Sequence, residues 1–146
     1  MLSRNTKIPI EILLIEDDGS HLLIKSKING KNARILIDTG ASRSVFDQER
    51  IRNFVNEKTF VQHDKLSTGL GTNSMLTSVV KLKSFKLGDL VLENFDAVLL
   101  DLKHVNGSYD SLGFSAIDGV LGNDILLKYN ANINYKKFIL TLDLKF

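Results

Sequence analysis

The dipeptide Asn29-Gly30 stands between two apolar runs, His21 to Ile28 and Ala33 to Ile37, with space for nothing longer than a tight turn. Both residues tolerate positive φ, as a two-residue hairpin loop demands, so the flanking runs are committed to antiparallel pairing. Asp17-Asp18-Gly19-Ser20 separates this hairpin from an earlier apolar run, Ile8 to Glu16, and together the three runs read as a meander. The same punctuation returns further on. Val79-Val80-Lys81-Leu82-Lys83 alternates as a half-buried antiparallel strand must, and Phe85-Lys86-Leu87 is followed by a Gly88-Asp89 turn and Leu90-Val91-Leu92. Phe95 to Leu100 is uniformly apolar and suits a strand through the core, and Phe138 to Leu144 alternates as a last strand.

Helical spacing is scarce. Phe46, Ile51, Phe54 and Val55 recur among Asp47, Glu49, Arg50 and Arg52, which predicts one short amphipathic helix over Phe46 to Phe54. Asp124 to Tyr129 suits one or two helical turns, whereas His104 to Ser115, rich in Gly, Ser and Asn, reads as a surface loop. No repeat or linker interrupts residues 1–146, so the expectation is a single, mostly β domain with one or two short helices.

Composition narrows the chemistry. Hydrophobic residues at 43% and a single Pro in 146 residues exclude a disordered or low-complexity chain. Nineteen basic against seventeen acidic residues leave a formal charge of +2, too small for a nucleic-acid footprint, and Lys81, Lys83 and Lys86 read as the solvated face of a strand. The absence of Cys removes disulfides, thiolate nucleophiles and cysteine-ligated metals. His21, His63 and His104 share no spacing, so no metal site is expected. The polar start and the interruptions at Pro9, Glu11 and Glu16-Asp17-Asp18 match neither an export signal nor a membrane span, which points to a soluble, cytoplasmic protein. In that setting the glycosylation-like triplet Asn106-Gly107-Ser108 reads as a plain turn.

The stretch that can carry chemistry is Ile35-Leu36-Ile37-Asp38-Thr39-Gly40-Ala41-Ser42, an apolar strand running directly into a carboxylate, a hydroxyl and a glycine. An ionised carboxylate at the end of a buried strand needs hydrogen-bonding partners or a shifted pKa. Thr39 and the backbone after Gly40 could supply those partners, and the residues alone leave two roles open for Asp38, a turn cap or a catalytic acid.

These residues resemble the active-site motif of the aspartic proteases, and a single Asp-Thr-Gly in a short chain resembles the retropepsin-like branch. Further pieces follow in that family's order. Lys65-Leu66-Ser67-Thr68-Gly69-Leu70-Gly71 is similar to the glycine-rich tip of the retroviral flap. Val120-Leu121-Gly122 with Asn123-Asp124-Ile125-Leu126 resembles the apolar-apolar-Gly motif and its short helix, and Tyr129 to Leu142 is similar to a terminal hairpin of bacterial and retroelement members. Where the retroviral pattern has a second Asp after Asp-Thr-Gly-Ala and an Arg after the later Gly, this chain has Ser42 and Asn123, so a charged pair is missing. Asp118 lacks the Asp-Thr-Gly context and reads as a turn residue.

The resemblance implies a closed β-barrel and an aspartic endopeptidase. It assigns catalysis to Asp38, Thr39 and Gly40, and substrate binding to Ala41, Ser42, Gly69, Leu70, Gly71, Val120 and Leu121. Leu66 and Met75 join Leu70, Val120 and Leu121 as candidate pocket walls, each of which also reads as plain core. Because one aspartate cannot serve as both acid and base, the resemblance also implies a homodimer in which Asp38 of two copies forms the dyad, acting on peptides without metal or cofactor. The alternatives are a catalytically silent peptide-binding or dimerisation module of the same fold, and an unrelated small β-barrel that binds a ligand or nucleic acid, in which Asp38 faces solvent or caps a turn, away from any symmetry partner.

Overall fold

The computed structural model describes residues 4–15, 19–56, 60–68 and 74–144. Its strands are β1 (Asn5–Pro9), β2 (Glu11–Ile15), β3 (Gly19–Ile28), β4 (Lys31–Ile37), β5 (Val45–Asp47), β6 (Phe60–Thr68), β7 (Ser74–Leu87), β8 (Leu90–Leu100), β9 (Gly119–Leu121), β10 (Asn132–Asn134) and β11 (Ile139–Asp143). Two helices, α1 (Lys103–Ser111) and α2 (Asn123–Lys128), flank β9, and Arg50–Asn53 forms a 3-10 turn.

The larger sheet runs β2-β3-β4-β9-β5-β8-β7-β6, and a second pairing of β3 with β7, through Lys27↔Lys86 and Ile28↔Phe85, closes six of these strands into a barrel. A small sheet, β1-β11-β10, packs at one end. The switch between sheets occurs at Pro9, which is why the run from Ile8 is two strands rather than the single one expected. Proline cannot donate to a ladder, and the next residue, Ile10, instead donates to the Phe138 carbonyl at 2.8 Å.

The hairpin at Asn29-Gly30 forms as the sequence demands, with φ of 50° and 81°. Asn29 also ties the hairpin to its surroundings: its side chain donates to Phe54 O and accepts from Ser84 N. On β7, Val80, Leu82, Phe85 and Leu87 are buried while Lys81, Lys83 and Lys86 are exposed, the alternation read from the sequence. The two short runs on either side of Ser84 are one long strand, and so are Leu90-Leu92 and Phe95-Leu100.

Of the helix expected over Phe46 to Phe54, only the 3-10 turn Arg50–Asn53 forms. Phe46 lies in β5 and packs edge-on against Phe85 and Phe95, with ring centroids 5.1 and 6.2 Å away. Asp47, expected on a solvated face, is buried. Its carboxylate accepts from Leu102 N at 2.9 Å and Arg50 N at 3.0 Å, so it ends the strand and starts the 3-10 turn.

The loop expected over His104 to Ser115 is largely α1, and Asn106-Gly107-Ser108 is therefore helical. Low intrinsic propensity is overridden by burial. Tyr109 and Val105, one turn apart, pack into a second apolar cluster with Leu13, Leu23, Leu102, Ile117 and Val120. Asn106 pairs with both backbone groups of Ile117, at 2.8 and 3.1 Å.

Asp118 is a brace between elements. It is buried, accepts from Arg34 N at 2.8 Å and pairs with Arg50 Nε at 2.8 Å, which fixes the approach to β9.

Candidate active site

β9 lies between β4, to which it is parallel, and β5, to which it is antiparallel. The loop that joins β4 to β5, residues 38–44, must therefore arch over the end of β9. Two turns of chain meet there at close quarters. A Cβ on Gly122 would lie 2.6 Å from Arg43 C and 2.7 Å from its carbonyl oxygen, so only glycine fits under the arch.

The register Ile37↔Leu121 brings the motif at Asp38 beside the motif at Gly122. Asp38 N donates to Leu121 O at 3.0 Å, and Asn123 N donates to Ala41 O at 2.8 Å. The Asn123 side chain donates to Thr39 O at 2.6 Å. Ser44, buried at the far end of the arch, accepts from Gly122 N at 2.8 Å and donates through its own N and Oγ to Asp124 Oδ1 at 2.9 and 2.7 Å. The arch is thus pinned at both ends and at its middle by the four residues that follow Val120.

On this frame the Asp38 carboxylate is exposed, and its Oδ1 accepts from Gly40 N at 2.9 Å. It does not lie buried, as the apolar run preceding it suggested. The strand ends one residue earlier, at a buried Ile37, and the turn carries the charge outward. Thr39, Gly40 and Ser42 are exposed beside it, and Ala41 is half-buried. A cavity of about 370 Å³ opens next to Asp38, with Leu22, Ile37, Thr39, Val105 and Tyr135 among its walls.

The structure brings Asp38, Thr39, Gly40, Ala41 and Ser42 together with the end of β9. Leu121 is wholly buried in the main core, so its backbone, not its side chain, reaches the arch, while Val120 packs into the cluster under α1. β6 and β7 pair out to Thr68↔Ser74, but Gly69, Leu70 and Gly71 lie outside the described residues, as do the side chains of Leu66 and Met75. The sequence pattern does not single out Ser44 and Asp124 as braces. Their only trace is a hydroxyl two residues past Ser42 and an acid two residues past Gly122, a pairing invisible until β4 and β9 are known to be neighbours.

This arrangement, a strand-ending Asp-Thr-Gly arched over an apolar-apolar-Gly strand in a closed barrel, defines a retropepsin-like fold. The family model described as Aspartyl protease matches residues 24–125, well over half of the sequence, and the chain belongs to that family. Among solved structures it is similar to a retropepsin-like aspartic protease from Rickettsia conorii, with a TM-score of 0.54 and 18% identity over 97% of this chain and 96% of that one. It is also similar to the retroviral protease-like domain of Ddi1 from Leishmania major, with a TM-score of 0.53 and 15% identity over 86% of this chain and 94% of that one. No curated protein matches the sequence. Among the described residues, no helix is long and apolar enough to cross a membrane.

Proposed function

We propose that the protein is an aspartic endopeptidase that works as a homodimer, with Asp38 of each of two copies forming the catalytic pair. The observation that carries this reading is the Asp38 carboxylate itself, exposed on a heavily pinned loop and bonded within the chain to Gly40 N. Pinning of that density around an exposed charge suits a group that must meet a reacting partner at fixed geometry.

Two carboxyl groups about 3 Å apart share one proton. The ionised one takes a proton from water as the water oxygen attacks the peptide carbonyl carbon. The protonated one donates to the carbonyl oxygen, giving a neutral tetrahedral gem-diol. The carboxyl that gained its proton from water then gives it to the amide nitrogen while the other carboxylate takes a gem-diol hydroxyl proton; the C–N bond breaks, amine and acid are released, and the pair again shares one proton. The steps need neither metal nor cofactor. A peptide would lie extended between this loop and the tip of the β6–β7 hairpin, with Gly69, Leu70 and Gly71 closing over it and Ala41 and Ser42 on the opposite side, above the buried Val120 and Leu121.

Sedimentation and pepstatin-sensitive cleavage of a peptide library, measured on one sample, test the proposal. A dimer that cleaves, is blocked by pepstatin and loses all turnover in Asp38→Asn while staying folded and dimeric is the expected result. Asp38→Asn cleaving as fast as the parent would overturn it. A monomer that grips peptides without turnover would establish the silent binding module instead.

A further inference from the structure

The cavity beside Asp38 has a polar wall that is held in place from behind. His21, half-buried on β3, lines it together with Leu22, Leu36 and Val105. The ring is not free to turn: its Nδ1 lies 2.6 Å from the Tyr109 hydroxyl, and the two rings meet edge-on with centroids 5.6 Å apart. Tyr109 comes from α1 and is 1% exposed. Burial raises its pKa above 10.0, with Arg34 acting in the opposite sense, so the phenol keeps its proton.

With the phenol as donor, the imidazole nitrogen facing it is the acceptor, in the tautomer that leaves Nδ1 unprotonated. A neutral imidazole that accepts at Nδ1 carries its own proton on Nε2. In that form Tyr109 orients His21, and Nε2–H is the donor the imidazole has left for the cavity it lines. Asp38 lines the same cavity, and Arg34, whose charge acts on Tyr109, is paired with Glu11 at 3.4 Å. An anionic substrate side chain would meet the negative charge shared by the catalytic pair, whereas an uncharged acceptor would not.

We infer that His21 is a specificity-determining residue, selecting substrates that place a carboxamide side chain, glutamine or asparagine, in this cavity. The aliphatic stem packs on Leu22 and Val105, and the amide oxygen accepts from His21 Nε2–H. Tyr109 is the positioning residue that holds the imidazole in that form. The inference rests on the aspartic protease reading and assigns its substrate class.

The test is a set of peptides, taken from the best-cleaved library member, that differ only at the side chain occupying this cavity: glutamine, glutamate or methionine. Methionine matches the length of glutamine without its amide. The expected result is a kcat/KM for glutamine about tenfold above methionine, the worth of one hydrogen bond between neutral groups, with glutamate lower than glutamine. In His21→Phe, which keeps a ring in place, the glutamine-to-methionine ratio should fall to about one or below. In Tyr109→Phe the ratio should shrink, and the imidazole ¹⁵N shifts of His21 should move from the Nε2–H pattern toward a mixture of tautomers. Brisk Asp38-dependent cleavage with a ratio near one in the parent, or a ratio unchanged in His21→Phe, would overturn this inference and leave the protease reading standing. Absence of Asp38-dependent cleavage for every peptide would overturn both.

Discussion

Ser44 and Asp124, 80 residues apart, are joined twice: the Ser44 backbone N and its Oγ both donate to Asp124 Oδ1, at 2.9 and 2.7 Å. The same Oγ accepts from Gly122 N at 2.8 Å, so one hydroxyl links the start of α2 to the end of the arch that carries Asp38. The side chain is 2% exposed, and water does not readily replace it. Ser44→Ala would strand a buried N–H and remove one of the two bonds to Asp124. A loss of about 1–3 kcal/mol in urea unfolding is expected. A loss within experimental error would mean that the arch does not depend on this link.

Gly122 lies under the arch at a distance no other residue tolerates. The nearest atoms to an added Cβ are Arg43 backbone atoms at 2.6 and 2.7 Å, which cannot rotate away as a side-chain tip could. Gly122→Ala is expected to destabilise by about 1–3 kcal/mol and to displace residues 38–44, abolishing any Asp38-dependent turnover. Parental thermal stability in this variant would show that the loop has slack.

Asn123 holds the Thr39 carbonyl with a 2.6 Å bond from its Nδ2. Asn123→Asp keeps the shape and replaces the donor with an acceptor facing another acceptor. In the proposed protease, loosening of the loop at the residue next to Asp38 should lower kcat by about ten- to a hundredfold with little change in KM, because the bond would position the reacting group without touching substrate. A rise in KM at constant kcat would relocate Asn123 to substrate binding.

Tyr109 links stability to pH at the alkaline end. Burial raises its pKa above 10.0 in the native state, against the opposing influence of Arg34, while the unfolded phenol ionises at its ordinary value. Between the two values the unfolded chain has lost a proton that the native state still holds, so unfolding gains from ionisation. The contribution is complete below pH 10 and falls away as pH rises through the native pKa. Stability between pH 9 and pH 11 should therefore drop more steeply in the parent than in Tyr109→Phe, and equal slopes would contradict the assignment.

Features set by near neighbours in the chain are legible in the sequence alone. The Asn29-Gly30 hairpin, the alternation about Lys81 and Lys83, the strand into Asp38 and the short helix after Gly122 each depend on the geometry of a few consecutive residues. Asp38-Thr39-Gly40 stands out locally as a carboxylate that ends an apolar strand, whereas Gly122 stands out only through the resemblance to the aspartic proteases, because the atoms that leave no room for a Cβ there belong to the distant Ala41 and Arg43.

Where long-range contacts outweigh local preference, the structure departs from the sequence pattern. Residues 103–111 are poor helix formers by composition, yet Val105 and Tyr109 find an apolar cluster to fill and the helix forms. Phe46 to Phe54 carries helical spacing, yet Phe46 is drawn between Phe85 and Phe95, and Asp47 finds two backbone donors that end the strand instead.

The sequence by itself determined that the chain makes short paired strands and presents one aspartate at a strand end, since backbone sterics and side-chain periodicity act over a few residues. Only the tertiary structure decided what surrounds that aspartate. The insertion of β9 between β4 and β5, the bracing of Ser44 by Asp124 and the locking of His21 by Tyr109 join residues roughly 80 or more positions apart. Hydrogen bonds and packing at that separation are specified by the closed barrel, whose strand order no local pattern encodes.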